Sequence, residues 1–375
     1  MKRVFVHAYF AGNFGDDLFV YILCKRYPET RFCILTDSRY QYKRTFSDIN
    51  NLKIYYYDDI KVKKWDSFWK RIKNADQGFW KMLLKLSDAT VHIGGSSFVQ
   101  HFDDYSSFLE YDRTLRRLSR KMYLIGSNFG PYTDENYYHQ YYELFRRYDG
   151  ICFRDLHTYQ LFKKLNNVRY APDVVFNLEC NESAGSSRKV IISVINMEER
   201  NGKFSISQYT DLYEKIIQRI AEYYVEREYE VVFVSFCESQ GDEKAINRII
   251  ERLEEREKVQ VLFYHNKIKE VLQLFSEAQI VIGTRFHSII LGWLNKKKVL
   301  PIVYDEKTKN VLDDLNYNNY LNLEEMESCD LEDKLERLEE LGDEVVDVLK
   351  SEAYMQFWAL DKLLGKQEGN VWKIH

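Results

Sequence analysis

Val281-Ile282-Gly283-Thr284-Arg285-Phe286-His287-Ser288-Ile289-Ile290-Leu291-Gly292-Trp293 begins as an apolar strand, turns at a glycine and continues as an apolar helix. A strand that ends in glycine and feeds a helix leaves the first helical amides pointing into a crevice without intrahelical partners. Those amides and the helix dipole favour an anion. Arg285 adds a planar fork of donors suited to phosphate or carboxylate. His287 adds a ring that gains or loses a proton near neutral pH. A lone histidine beside an apolar helix is more often a satisfied core residue. Its place two positions after an arginine, at a helix start following glycine, turns the reading towards function. Residues two apart on a regular helix diverge by about 200°, so both can serve one ligand only if the turn is not yet helical at Arg285.

The same strand–turn–helix punctuation recurs along the 375 residues. In the first half, strands are expected at Arg3–His7, Arg31–Leu35, Lys53–Tyr57, Thr90–Ile93, Met122–Gly126 and Gly150–Phe153, with helices such as Asp16–Arg26, Ser106–Arg120 and Glu135–Arg147 between them. The series restarts with strands at Val190–Val194, Glu230–Phe236, Val259–Phe263, Gln279–Ile282 and Val299–Val303. Alternation of this kind predicts an α/β chain with mostly parallel sheets. The fold class expected is two Rossmann-like, doubly wound domains facing a central cleft. Their expected bounds are 1–180 and 189–330, joined by a linker at 181–188 that is dense in small polar residues. A charged helical segment, 331–375, is expected to pack back on the first domain.

Composition narrows the function. Hydrophobic residues at 45% and charged residues at 30% describe a globular protein, and a net charge of −4 gives no basic excess for nucleic acid. Six scattered cysteines without a CxxC pair read as a reduced, cytosolic thiol set. The apolar start is interrupted at once by Asn13 and Asp16, and no apolar run approaches the ~18 residues of a membrane span. Lys61, Lys63, Lys64, Lys70, Arg71 and Lys73 alternate with Trp65, Phe68, Trp69, Phe79, Trp80 and Leu83. A basic aromatic helix over 61–84 suits peripheral contact with an anionic membrane, whereas a helix packed on the sheet with a solvated basic face is the plainer reading. The remaining histidines make no metal-like spacing, and no metal is expected.

Three glycine loops are expected at strand carboxyl ends, where open α/β sheets bind ligands. Gly12-Asn13-Phe14-Gly15-Asp16 allows close backbone approach to an anion or a sugar hydroxyl; alternatively Asp16 merely caps the helix. Gly94-Gly95-Ser96 and Gly126-Ser127-Asn128-Phe129-Gly130-Pro131 repeat the arrangement. Arg154 ends a further strand. It points either at an anion in the cleft or at an ion-pair partner such as Asp155 or Asp173.

In their order and spacing, these segments resemble the polysaccharide pyruvyl transferase family. The matching pieces are the Gly12–Asp16 loop, Ile93-Gly94-Gly95-Ser96, the Gly126–Pro131 loop, Arg154-Asp155, Pro172-Asp173-Val174-Val175-Phe176, Gly283–His287 and Tyr304-Asp305-Glu306-Lys307. The resemblance implies a GT-B-like arrangement. It implies an enzyme that transfers the enolpyruvyl unit of phosphoenolpyruvate to two hydroxyls of a sugar; the cysteine usage places that enzyme in the cytoplasm, with 61–84 as the segment that would meet the inner face of the membrane. The acceptor would be a lipid-linked precursor of a capsule or exopolysaccharide, the products a cyclic pyruvate ketal and phosphate, and no cofactor is implied. His287 would be the general acid and base. Arg285, Arg154, Phe286, Thr284 and Gly283 would hold the donor, while Asn13, Gly15, Asp16, Gly94, Gly95, Ser96, Asn128 and Asp173 would line the acceptor side. One departure is visible: many members carry an arginine just after the first strand of the second domain, where this chain has Asn196-Met197. The runner-up is a GT-B glycosyltransferase using a nucleotide sugar. Against it, no glutamate occurs between Glu277 and Glu306, where retaining enzymes of that kind often carry a pair.

Overall fold

Short runs rich in valine, isoleucine and phenylalanine, buried on both faces, assemble side by side into two all-parallel sheets, as such runs do when helices cover both faces. The computed structural model describes residues 1–73, 76–179, 188–200 and 202–366. The first sheet contains β1 (Arg3–His7), β2 (Arg31–Thr36), β3 (Leu52–Tyr56), β4 (Ala89–Ile93), β5 (Met122–Ser127), β6 (Gly150–Phe153) and β7 (Val168–Tyr170), in the order 3-2-1-4-5-6-7. The second contains β8 (Lys189–Ser193), β9 (Glu230–Val234), β10 (Val259–Leu262), β11 (Ile280–Gly283), β12 (Lys298–Val303) and β13 (Leu321–Asn322), in the order 10-9-8-11-12-13. In each sheet the strand order reverses once, between β1 and β4 and between β8 and β11. Crevices at such reversals, beyond the strand carboxyl ends, are where doubly wound sheets hold ligands.

The chain divides into two compact units whose bounds differ from a simple cut. Ala11–Gly15 and Leu178–Ser351 form one; Met1–Phe10, Asp16–Asn177 and the described residues from Glu352 onward form the other. Of the 331–375 segment, therefore, only the last part belongs to the first unit. There Gln356, almost wholly buried, accepts from the Gly126 amide at 2.9 Å. It donates to the carbonyls of Phe153, Ala171 and Pro172 at 3.3, 2.7 and 3.0 Å. Arg26 and Tyr27 bond Asp361 at 2.8 and 2.6 Å, which fixes the end of helix Phe14–Arg26. The expected linker falls on residues outside those described, save Arg188.

Residues 61–84 are two helices, Ile60–Lys73 and Gly78–Leu86, not one. Gln77 between them adopts a left-handed conformation (φ 57°), and the Phe79 amide donates to Asp66 at 2.7 Å. A Cβ on Gly78 would fall 2.6 Å from Trp69, so only glycine allows this close return. The break sorts the aromatics. Phe79, Trp80 and Leu83 enter the core, while Trp65, Phe68 and Ile72 stay exposed.

One buried acid makes the first unit's stability pH-dependent. Asp112, on helix Ser106–Leu118, accepts from the Tyr141 hydroxyl at 2.8 Å. Burial pushes its carboxyl up to about 7, against the lowering effect of that bond. A carboxyl raised in the fold favours the native state fully below its unfolded pKa, about 3.9, and that contribution is lost as pH rises through 7. Asp112→Asn is therefore expected to raise the Tm above pH 7 and leave it nearly unchanged near pH 4. Parallel Tm–pH curves for the two proteins would refute this.

Candidate active site

In the second unit, the reversal between β8 and β11 builds the corner around Arg285. Ser193 ends β8; its carbonyl accepts from the Thr284 amide at 3.1 Å and its hydroxyl from the Arg285 amide at 3.3 Å. Thr284, fully buried, meets the Tyr213 hydroxyl at 2.9 Å, so its side chain holds the turn. Gly283 is required by packing: a Cβ there would lie 2.8 Å from Ile289 and 2.9 Å from Ser288. Arg285 caps helix Phe286–Leu294 in an extended conformation (φ −73°, ψ 127°). The turn is thus not yet helical at Arg285, which meets the geometric condition for Arg285 and His287 to serve one ligand.

The Arg285 fork is held by Asp242. Nε donates to Asp242 at 3.0 Å, Nη2 to its other oxygen, and Nη1 to Gln240 at 2.7 Å. Burial alone would lower the guanidinium pKa, but Asp242 and its neighbours carry it above the ordinary value. Asp242 is itself anchored by the amides of Phe236 and Cys237, at 3.0 and 2.9 Å. Neither Asp242 nor Gln240 was read from the sequence, although Gly241-Asp242 opens a helix after β9 in the same strand–turn–helix pattern that singled out Arg285.

His287 lies against the Gly12–Asp16 loop. A Cβ on Gly15 would stand 1.9 Å from its Nδ1, so glycine is what admits the ring. Phe286, mostly buried, meets the imidazole edge-on at 5.7 Å. Asn13 places this loop: it bridges to Cys237, its side chain accepts from the Gly15 amide at 2.9 Å, and the Phe14 amide donates to the Phe236 carbonyl at 2.9 Å. Asn13 therefore caps this helix start, and Asp16 lies inside the first turn.

In the first unit, a second cluster gathers at the ends of β4, β5 and β6. Arg154, almost fully buried, donates to Asp173 at 2.9 Å and to Asn128 at 2.8 Å. Burial raises the Asp173 carboxyl, with Arg154 opposing the shift. Ser96 donates to Asn128 at 3.3 Å, and Ser127 and the Asn128 amide both donate to the Gly95 carbonyl. A Cβ on Gly95 would sit 2.7 Å from the Arg154 guanidinium. Gly94, at φ 158°, would place one 3.5 Å from Asp16. The three glycine loops thus follow adjacent strands β1, β4 and β5. Of the alternatives for Arg154, the Asp173 pair is present.

Among the described residues, Glu238, Glu243 and His265 place donor atoms within 4.8 Å of one another, a group able to hold an ion. His265 Nε2 lies 2.7 Å from Glu243, a contact that a hydrogen bond between the two explains without an ion. Linear spacing hides the group because its members follow two adjacent strands, β9 and β10.

Residues 13–306 match polysaccharide pyruvyl transferase. The chain belongs to that family. This pyruvyl transferase family member is also 22% identical, over 256 residues, to the amylovoran biosynthesis protein AmsJ of Erwinia amylovora. The match covers 62% of this chain and spans 60% of that relative's length. Among solved structures it resembles Anabaena HepE in complex with UDP and glucose, at TM-score 0.58 and 10% identity, covering 98% of this chain and 100% of that one. It also resembles the UDP-GlcNAc 2-epimerase of Neisseria meningitidis bound to UDP-GlcNAc, at TM-score 0.55 and 11% identity, covering 96% and 99%. Likeness at this identity establishes the fold class, two parallel-sheet α/β domains of the GT-B type. No helix among the described residues is long and apolar enough to cross a membrane.

Proposed function

We propose that this family member transfers the enolpyruvyl unit of phosphoenolpyruvate to two hydroxyls of a sugar in a surface-polysaccharide precursor. The observation that carries the reading is His287, seated against Gly15 two residues beyond the Asp242-held Arg285, at the reversal of a doubly wound sheet. Arg285 and the start of helix Phe286–Leu294 suit the donor's negative charge. Arg154 is the corresponding cation of the first unit.

In the reaction, the His287 imidazolium gives a proton to the donor's methylene carbon, which becomes a methyl group. The adjacent carbon turns electrophilic, and one sugar hydroxyl forms a C–O bond to it. Phosphate leaves with the electron pair of its C–O bond, and the second hydroxyl closes the ketal. One hydroxyl proton replaces the one His287 gave, and the other ends on phosphate. A single imidazole serves as acid and then as base. So written, the reaction needs no cofactor.

The test is incubation with phosphoenolpyruvate over a panel of lipid-linked glycans, with UDP-sugars as controls. Mass spectrometry should show a ketal-linked pyruvate and release of phosphate. A whole added sugar from the UDP-sugar arm would replace this reading with that of a glycosyltransferase.

A lipid-linked acceptor would suit an enzyme that rests on the membrane. On helix Ile60–Lys73, exposed Trp65, Phe68 and Ile72 stand among Lys61, Lys63, Lys64, Lys70 and Arg71. Such a face fits an anionic bilayer surface. Co-sedimentation should rise with the anionic lipid content of the vesicles and fall on adding salt; binding indifferent to lipid charge would leave this helix a solvated face only.

A further inference from the structure

We infer that Arg200 is a second donor-binding arginine in the second unit and grips the phosphate of the donor, an assignment that rests on the phosphoenolpyruvate reading above. Arg200 follows the turn after β8, where its amide donates to the Met197 carbonyl at 3.0 Å. From there its Nη2 donates to Gln240 Oε1 at 3.0 Å, the same oxygen that accepts from Arg285 Nη1 at 2.7 Å. One amide oxygen thus draws two guanidinium groups together. The Tyr304 ring lies 5.1 Å from the Arg200 guanidinium and 5.7 Å from Lys307 Nζ.

Charge counting then separates the three cations. Arg285 is matched by Asp242, and Lys307 by Asp305 at 2.9 Å. Among the described residues Arg200 has no carboxylate partner, and its Nε is sealed from solvent without a hydrogen bond. Like charges drawn side by side repel, so the arrangement is completed by an anion on the accessible side of the guanidinium. Arg200 supplies the net positive charge of this corner. The donor's phosphate, carrying about −1.5 to −2 near pH 7, is the better match than its singly charged carboxylate. Linear spacing does not single this residue out, because a turn separates it from Asn196-Met197 just after β8.

Two variants test the inference, read by equilibrium binding of phosphoenolpyruvate, inorganic phosphate and pyruvate. Arg200→Gln is expected to weaken phosphoenolpyruvate and phosphate by roughly 10- to 100-fold, the worth of a charge-assisted hydrogen bond, and to leave pyruvate unchanged. Gln240→Glu places a carboxylate between the two arginines. It should also weaken phosphate binding while the Tm holds or rises, an outcome a merely structural role for Arg200 would not give. Unchanged phosphate affinity in either variant, or equal weakening of pyruvate, overturns the assignment. Wild-type protein that binds no phosphoenolpyruvate would sink the transferase reading as well, whereas wild-type binding retained in Arg200→Gln would sink this inference alone.

Discussion

Replacing His287 with glutamine is expected to lower kcat by ~10²–10⁴, the range for a lost general acid, with little change in the donor KM. Glutamine keeps a hydrogen-bonding group of similar reach but cannot deliver a proton. An unchanged kcat would remove His287 from the chemistry. Gly15→Ala attacks the same ring from outside: its new methyl would stand 1.9 Å from Nδ1 and 2.5 Å from Cε1, so the imidazole must swing away. Alanine is favourable in a first helical turn, so the Tm should hold while kcat falls at least about tenfold. Full activity in Gly15→Ala would show that the ring's seat against this loop has no part in turnover.

The second large effect concerns Arg285. Removing its guanidinium as Arg285→Met leaves Asp242 fully buried beside an apolar chain, and breaking a buried pair on one side costs about 3–5 kcal/mol. Asp242 keeps the two backbone amides that anchor it, which argues for the lower end of that range. The donor KM should rise as well. The double variant Arg285→Met/Asp242→Asn separates the two roles. Without the stranded charge the Tm should recover, whereas donor binding should not. Binding that recovers along with the Tm would reduce Arg285 to a structural residue. Arg285→Lys should fall between, since a point charge cannot reproduce the two-pronged contact with Asp242.

Much of the scaffold was legible because its strands are continuous apolar runs and its helices carry an apolar stripe. Strands Arg3–His7 and Gly150–Phe153 fall where the pattern places them, to the residue. Val168–Tyr170 and Leu321–Asn322 escaped: three and two residues at sheet edges are too short for any periodicity. Within the site, glycine loops and arginines stood out because they follow strand carboxyl ends, where open α/β sheets hold ligands. Their partners did not. Asp242 and Gln240 come from the segment after β9, which β8 separates from β11, and only the sheet order brings them to Arg285. The single basic helix over 61–84 failed for a local reason. Apolar spacing continues through Gln77, and only the left-handed backbone there reveals the reversal.

Gln356 has a consequence for how the polypeptide is made. Its amide closes backbone groups near the ends of β5 and β6, yet it emerges from the ribosome roughly 180 residues after Asn177. At 5–20 residues per second that interval is about 10–40 s. Throughout it the nascent amino-terminal sheet waits with Gly126 and its neighbours uncovered, while the intervening domain is threaded and completed first.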